Sequence, residues 1–422
     1  MVSTQPSILE TGTGLFGTHV TLEDINDSIR QHIKTENELT PDSKMEVIGD
    51  GNGFSSCVIL ITCQWSIPSE DLPLKIVLKI VSFDHINRLV EKAKLEGVFN
   101  ISEEDQKKMR EYLETSIQRN HNQEINFYEI LKCGDAQRLL TPKVYFSRKF
   151  SDTNRAKGFI GMEYIEGTDI RHSYENCTVE EVQPILKAIA SIQALTFSIS
   201  NEEFKKIETG AWFKETMGAM MAGDGMKGIY MHTKNKNPER FAERIERLEG
   251  YGPKILNFDK AFDLNKYVGI TQDVLVHGDL WAANILWANG NNNTYSACKI
   301  LDYQLTHTGN PAEDLVRFLA STLSGADRQK HWERLLEQFY EYFLDALKEI
   351  QKEVPYTLEQ LKESYRQFFP VGGLALLALF GPAVEMKMQY MEKSKAEECQ
   401  KVVMEKLECL LEDVEKFYLE SV

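Results

Sequence analysis

Three polar residues between Val274 and Gln304 have the types and spacing for chemistry on a phosphoryl group. The apolar run Val274-Leu275-Val276 stops at His277-Gly278-Asp279, and Asn284 follows Asp279 after four intervening residues. A second apolar run, Ala297 to Leu301, stops at another carboxylate, Asp302. Two strand-like segments that each end in an acid, with an amide side chain between them, suit in-line transfer. One aspartate takes the proton of an attacking hydroxyl, while the asparagine and the second aspartate hold Mg²⁺ against nucleotide phosphates. Asp279 is therefore the candidate catalytic base, and Asn284 and Asp302 are the candidate metal ligands. A hairpin with an acidic turn would share some of these features, but not three polar positions in two strand contexts.

Such residues work only if other elements hold them against a nucleotide, and the upstream sequence supplies candidates. Residues 1–20, rich in Gly, Ser and Thr, read as a lead-in. Thr21 with Asp24 three residues on is a helix-start pair, and Leu22, Ile25, Ile29 and Ile33 recur at helical spacing to about Lys34. Val47 to Ser56 reads as strand and Gly-rich turn, followed by the apolar run Cys57 to Trp65. Gly49, Gly51 and Gly53 permit close backbone approach to phosphate oxygens, although an ordinary hairpin with a Gly turn has the same letters. Leu74, Ile76, Leu78 and Ile80 then alternate with Lys75, Val77 and Lys79, a strand period with both lysines opposite the aliphatic row. Lys79, near the strand's end, is the candidate phosphate contact. The polar segment Ser102 to Lys132 reads as helix. A glutamate on it should pair with Lys79, Glu124 being the first choice and Glu129 the second.

Val144-Tyr145-Phe146 and Gly158 to Tyr164 read as two further strands. Glu163 to Gly167 is either a hinge, whose backbone at Glu163 and Ile165 meets an adenine edge, or a plain strand end and turn. From Val179 to Phe197 the pattern becomes helical. Residues 201–270 are helical and irregular and hold Met217, Met220, Met221, Met226 and Met231. These methionines read as core or lid more readily than as an adaptable wall for an acceptor. Gly309-Asn310-Pro311 opens a helix whose Asp314 either braces the loop around Asp279 or is a simple helix-start carboxylate. The remainder, Arg328 to Glu420, is nearly all amphipathic helix, a floor under the site.

Composition narrows the partners. The chain has 422 residues, 42% hydrophobic and 27% charged, enough for two or three packing units of an ordinary globular protein. Its net charge of −16 argues against nucleic acid and anionic membrane surfaces, both of which select basic patches. The first residues, MVSTQPSILETGTG, lack the basic and apolar regions of a secretory signal. The stretch Phe368 to Val384 is too short and too interrupted by Pro and Gly to span a bilayer. Seven scattered cysteines, without a CxxC pair, read as reduced thiols. The expectation is a cytoplasmic protein with no membrane span and no nucleic-acid partner.

His277-Gly278-Asp279-Leu280-Trp281, Asn284 and Leu301-Asp302-Tyr303-Gln304 together resemble the CHK kinase-like, or ecdysteroid-kinase-like, family. That family is similar to choline kinases and aminoglycoside phosphotransferases within the protein-kinase-like fold. The resemblance runs from about Val47 to Leu419 and is firmest over 271–320. It implies an α+β, two-lobed protein-kinase-like fold: residues 1–165 as lead-in helix and small antiparallel β-sheet N-lobe, residues 166–422 as a larger helical catalytic and substrate-binding C-lobe. It further implies ATP and Mg²⁺ as cofactors, with transfer of the γ-phosphoryl group to a small-molecule hydroxyl, steroid-like or xenobiotic alcohols being the family's substrate class. By position, Asp279 is the base, Asn284 and Asp302 ligate metal, and Lys79 with its partner Glu124 contacts phosphate under Gly49, Gly51 and Gly53. Tyr303 stands where the family usually has Phe, and Gln193 where related kinases often carry His. The alternatives are a choline- or aminoglycoside-type kinase, or a catalytically silent kinase-like binding protein. A protein kinase is disfavoured, because Gly278 rather than Arg precedes Asp279 and no DFG-to-APE activation segment follows Asp302. The acceptor's identity and the oligomeric state are not legible in the sequence.

Overall fold

In a computed structural model, residues 6–49, 56–83, 103–221, 224–290, 294–377, 379–380, 384, 388 and 391–421 are described. The chain divides into two compact units, residues 1–129 with 142–166 and residues 130–141 with 167–422.

The first unit is built on an antiparallel sheet of order β1-β2-β3-β5-β4. Its strands are β1 (Lys44–Val47), β2 (Ser56–Thr62), β3 (Lys75–Val81), β4 (Val144–Arg148) and β5 (Phe159–Glu163). Helix α1 (Leu22–Ile33) starts on a capping box in which Thr21 and Asp24 satisfy each other's backbone N–H groups. Its Ile25 and Ile29 pack with Ile59, Ile76, Leu78, Ile80 and Phe146 in one core. The β3 alternation thus buries Ile76, Leu78 and Ile80 and leaves Lys79 on the opposite face. Two expectations shift. Leu74 precedes the strand and is 76% exposed, because only its carbonyl, which accepts the Cys63 N–H at 2.8 Å, joins the ladder. The run Cys57 to Trp65 is strand only to Thr62, and Trp65 instead bridges to Leu39.

Helix α2 (Glu103–Leu131) follows β3 in sequence order. His121 Nε2 bonds the Arg148 carbonyl at 2.9 Å. Asn122 donates to the Phe150 carbonyl at 3.0 Å and accepts the Phe150 N–H at 2.8 Å. These contacts pin the helix to the chain leaving β4, one turn before Glu124.

The second unit is mainly helical, as the sequence implied. Strands β6 (Thr168–Ile170), β8 (Ile285–Asn289) and β9 (Tyr295–Ile300) form one antiparallel sheet, and β7 (Val274–Val276) pairs with β10 (His307–Gly309). Helix α3 (Gln183–Leu195) is buried along most of its length, which accounts for its apolar character on every side. There follow α4 (Gly210–Met221), α5 (Asp224–Lys236), α6 (Pro238–Ile255), α7 (Phe258–Phe262), α8 (Glu313–Thr322), α9 (Gly325–Glu349), α10 (Leu358–Leu376) and α11 (Lys393–Glu420). Trp332 of α9 stacks on Tyr365 of α10 at 5.2 Å between ring centroids, and Phe417 of α11 meets Trp332 edge-on at 5.5 Å. Among the described residues, no helix is long and apolar enough to cross a membrane.

Candidate active site

The short β7–β10 pair delivers the His277-Gly278-Asp279 loop, and the loop is fixed by its backbone. Asp314, in the first turn of α8, accepts the His277 N–H at 2.8 Å and the Gly278 N–H at 3.0 Å. Of the two readings of Asp314, the geometry is that of the brace. Gly278 has φ of +80°, and a Cβ there would lie 2.3 Å from the Leu305 carbonyl oxygen, so the position needs glycine. His277 Nδ1 accepts the Asp279 N–H at 3.2 Å, which leaves Nε2–H to donate to the Leu301 carbonyl at 2.9 Å. Burial holds the His277 pKa below the usual imidazole range, in keeping with this neutral tautomer. The Tyr303 ring is fully buried and packs on His277, with centroids 4.6 Å apart.

These bonds bring the three predicted polar residues of this unit together. Asn284 Nδ2 donates to the Asp279 carbonyl at 2.7 Å and lies 3.3 Å from Asp279 Oδ2. The Leu301 N–H donates to the Asn284 carbonyl at 2.8 Å, tying the asparagine to the residue before Asp302. Asp302 adopts a left-handed conformation, φ +65°, uncommon for a non-glycine residue and often found at functional sites. The Asp279 pKa is raised, first by burial. The Arg317 guanidinium acts against the rise, and the nearby Asp302 carboxylate adds to it. A more basic carboxylate is the better proton acceptor.

The donor set fits Mg²⁺. With Nδ2 of Asn284 engaged, its Oδ1 and the Asp302 carboxylate are the oxygens a cation would take. Mg²⁺ is commonly held by one or two protein oxygens, with substrate phosphates and water completing the shell. Among the described residues, no group of three His, Cys, Asp or Glu side chains forms a cage able to hold a metal unaided. Mg²⁺ bound here would neutralise charge on phosphate oxygens.

Arg317 was not foreseen. It pairs with Asp279 Oδ1 from α8. The only signal for it in the sequence is its place three residues after Asp314, one helical turn along the same face. A cleft beside Gly278 and Arg317 is lined by Met217, Phe258, Phe262, Phe368 and Val371. The methionine-rich segment therefore splits: Met217 lines the cleft, Met221 and Met226 are core, and Met231 is 62% exposed. Met220's side chain lies outside the described residues. Glu313, also on the cleft, is bound to His307 Nε2 at 3.0 Å and accepts the Asn310 N–H at 2.6 Å. Burial alone would lower the His307 pKa, but Glu313, the Leu305 carbonyl and Asp314 together outweigh it and raise it. Gln193 is fully buried and donates to the Pro311 carbonyl at 3.0 Å, so the chain entering α8 has its support without a histidine.

In the first unit, Lys79 Nζ lies 2.7 Å from Glu124 Oε2, with side-chain exposures of 13% and 1%. Glu129 instead faces Lys149 at 3.4 Å and is half exposed. Gly49, with φ +64°, begins the turn after β1, whereas Gly51 and Gly53 lie outside the described residues. The Glu163 N–H bonds the Lys143 carbonyl at 2.9 Å, and its Oε1 accepts the Lys143 N–H at 2.8 Å, which ties this residue to the start of β4. Ile165 follows β5 and is half-buried.

The chain is similar to two proteins of Caenorhabditis elegans. It is 26% identical over 259 residues to the one named Uncharacterized oxidoreductase dhs-27, a match covering 60% of this chain and 30% of that protein. It is 35% identical over 96 residues to Uncharacterized kinase-like protein D1044.1, covering 23% of this chain and 24% of that protein. The matches thus span less than a third of either relative. Among solved structures, a mutant aminoglycoside 2'-phosphotransferase in its GDP complex is similar at 14% identity and a TM-score of 0.47, over 95% of this chain and 100% of that one. The family model described as DUF1679, Uncharacterized oxidoreductase dhs-27, matches residues 8–422, and the chain belongs to that family.

Proposed function

We propose that this chain is an ATP-dependent small-molecule kinase that transfers the γ-phosphoryl group to a hydroxyl of a steroid-like or xenobiotic alcohol. The observation that carries the reading is the convergence of Asp279 and Asn284, tied through Leu301 to Asp302, on a loop whose amides are held by Asp314. Asp279 accepts the acceptor's proton as its oxygen bonds to the γ-phosphorus and the bond to the bridging oxygen breaks, with ADP as the leaving group. Asn284 and Asp302 hold the metal.

In the same reading, residues 1–165 are the nucleotide-binding lobe and residues 166–422 the catalytic one. Lys79, oriented by Glu124, contacts phosphate, and Gly49, Gly51 and Gly53 cover it. Glu163 and Ile165 are the hinge positions whose backbone would meet a nucleobase edge in this reading. The oxidoreductase in one relative's name belongs to a protein of which this match covers 30%. Dinucleotide chemistry on a doubly wound fold needs a parallel sheet, whereas the named strands among the described residues pair antiparallel.

The test is a screen of steroids, glycosides, choline and amino-sugars with labelled ATP, scored by a mass gain of one phosphate. Asp279→Asn should lower turnover by about a thousandfold and leave cooperative unfolding intact. No phosphorylated product from any acceptor, or a fully active Asp279→Asn protein, would refute the reading.

A further inference from the structure

The cleft beside Asp279 has apolar walls. Phe258 and Phe262 stack at 6.4 Å between centroids, Phe262 meets Phe368 edge-on at 6.0 Å, and Met217 and Val371 line the same space. Such walls favour the apolar part of an acceptor over a charged one. Three charged side chains also line it: Glu313, Asp314 and Arg317. The two acids are engaged, Asp314 with the His277 and Gly278 amides and Glu313 with His307 and the Asn310 amide. Arg317 differs. It pairs with Asp279 through one terminal nitrogen, while its buried Nε–H has no hydrogen-bond partner among the described residues. A guanidinium offers five donors in a rigid fork, and a buried donor left unmatched is costly.

We propose that Arg317 selects the acceptor: its guanidinium binds an oxygen on the carbon next to the reacting hydroxyl, and it turns away acceptors that carry an ammonium there. This rests on the phosphotransfer reading and narrows its substrate class to apolar alcohols with a neighbouring carbonyl or carboxylate. Arg317 pairs with Asp279 Oδ1, while Oδ2 has only the longer 3.3 Å contact from Asn284 Nδ2, so Oδ2 takes the proton of the acceptor's hydroxyl as that oxygen takes the γ-phosphoryl group from ATP and ADP departs. An adjacent oxygen then falls beside the guanidinium. An ammonium in that place would face a cation, with no unengaged carboxylate among the described lining residues.

The experiment compares a hydroxy-ketone, a plain alcohol and an amino-alcohol on one apolar skeleton, with MgATP, in the parent protein and in Arg317→Gln, Arg317→Lys and Arg317→Glu. In the parent, kcat/KM should fall in that order, by about ten- to hundredfold from hydroxy-ketone to plain alcohol. Arg317→Gln should erase that first step, mainly through KM. Arg317→Lys should restore part of it, and Arg317→Glu should favour the amino-alcohol. A purely structural Arg317 would weaken all three acceptors alike and keep their order, which overturns the proposal. So does a parent protein that prefers the amino-alcohol, in which case phosphotransfer stands and the selection falls. If no alcohol in this panel or the wider screen gains phosphate, both readings fall together. Should a variant not fold, the parent's ranking decides the matter.

Discussion

A Cβ at Gly278 would lie 2.3 Å from the Leu305 carbonyl oxygen and 3.2 Å from His307 Nδ1, at a φ of +80° that side chains rarely adopt. Both neighbours are held by other bonds, so the loop rather than its surroundings must give. Gly278→Ala should cost about 2–4 kcal/mol in urea unfolding and displace Asp279 enough to abolish turnover. A variant within about 0.5 kcal/mol of the parent would mean that the loop adjusts freely. For Asp302→Ala, calorimetry with and without Mg²⁺ should show that nucleotide binding has lost its dependence on the metal; unchanged dependence would remove Asp302 as a ligand. Asp279, Asn284 and Asp302 were legible because one short stretch of sequence carries all three. Arg317 was not, since its partner lies 38 positions away and a lone arginine in an amphipathic helix has no distinguishing neighbour. Asp314 was legible only as one of two alternatives, because the backbone amides that it accepts leave no mark in the letters.

Periodicity carried the elements where one face is buried. It identified α1, β3 and most of the C-terminal helices, and it overran at Leu74 and Trp65, where an apolar residue flanks a strand without joining it. Contacts between helices distant in sequence were beyond its reach. Arg244 of α6 bonds Glu412 of α11 at 3.2 Å, Arg247 bonds Glu415 at 2.5 Å, and Arg240 pairs with Glu408 a turn earlier. The three arginines and the three glutamates follow the same steps of four and three residues, so the two helices run their charged stripes side by side. Such pairs are partly exposed and individually weak. Replacing Arg244 and Arg247 by Gln should lower the thermal midpoint slightly at low ionic strength. The difference should vanish near about 1 M salt, where the screening length is about 3 Å. A loss that persists in high salt would assign the effect to the packing of the arginine stems instead.

Helix α8 is held at both ends, and its far end gives the molecule a dependence on pH. Asp314 in the first turn bonds the catalytic loop. At the last turn, the fully buried Lys406 of α11 donates to the Ser321 carbonyl at 2.9 Å and to the Thr322 and Glu175 carbonyls at 3.3 Å. A cation suits a helix C-terminus, but no carboxylate is within bonding distance of Lys406 among the described residues. Burial pulls its pKa down to about 7; Cys177 and Glu405 act upward, while Arg328 and Arg171 act downward. In the unfolded chain the same amine titrates near 10.4. Below about pH 7 it is charged in both states, and the fold bears the full cost of burying the charge. Between there and about 10.4 the unfolded state binds the extra proton, so stability rises with pH, by at most about 1.4 kcal/mol per unit from this group. Lys406→Met removes the titration, although it leaves the end of α8 with unmatched carbonyls. Urea unfolding of the parent from pH 7 to 10 should therefore run more steeply upward than that of Lys406→Met, whatever the offset between them. Parallel profiles would mean that Lys406 keeps its proton in the folded state, held by the three carbonyls as a helix cap in the ammonium form.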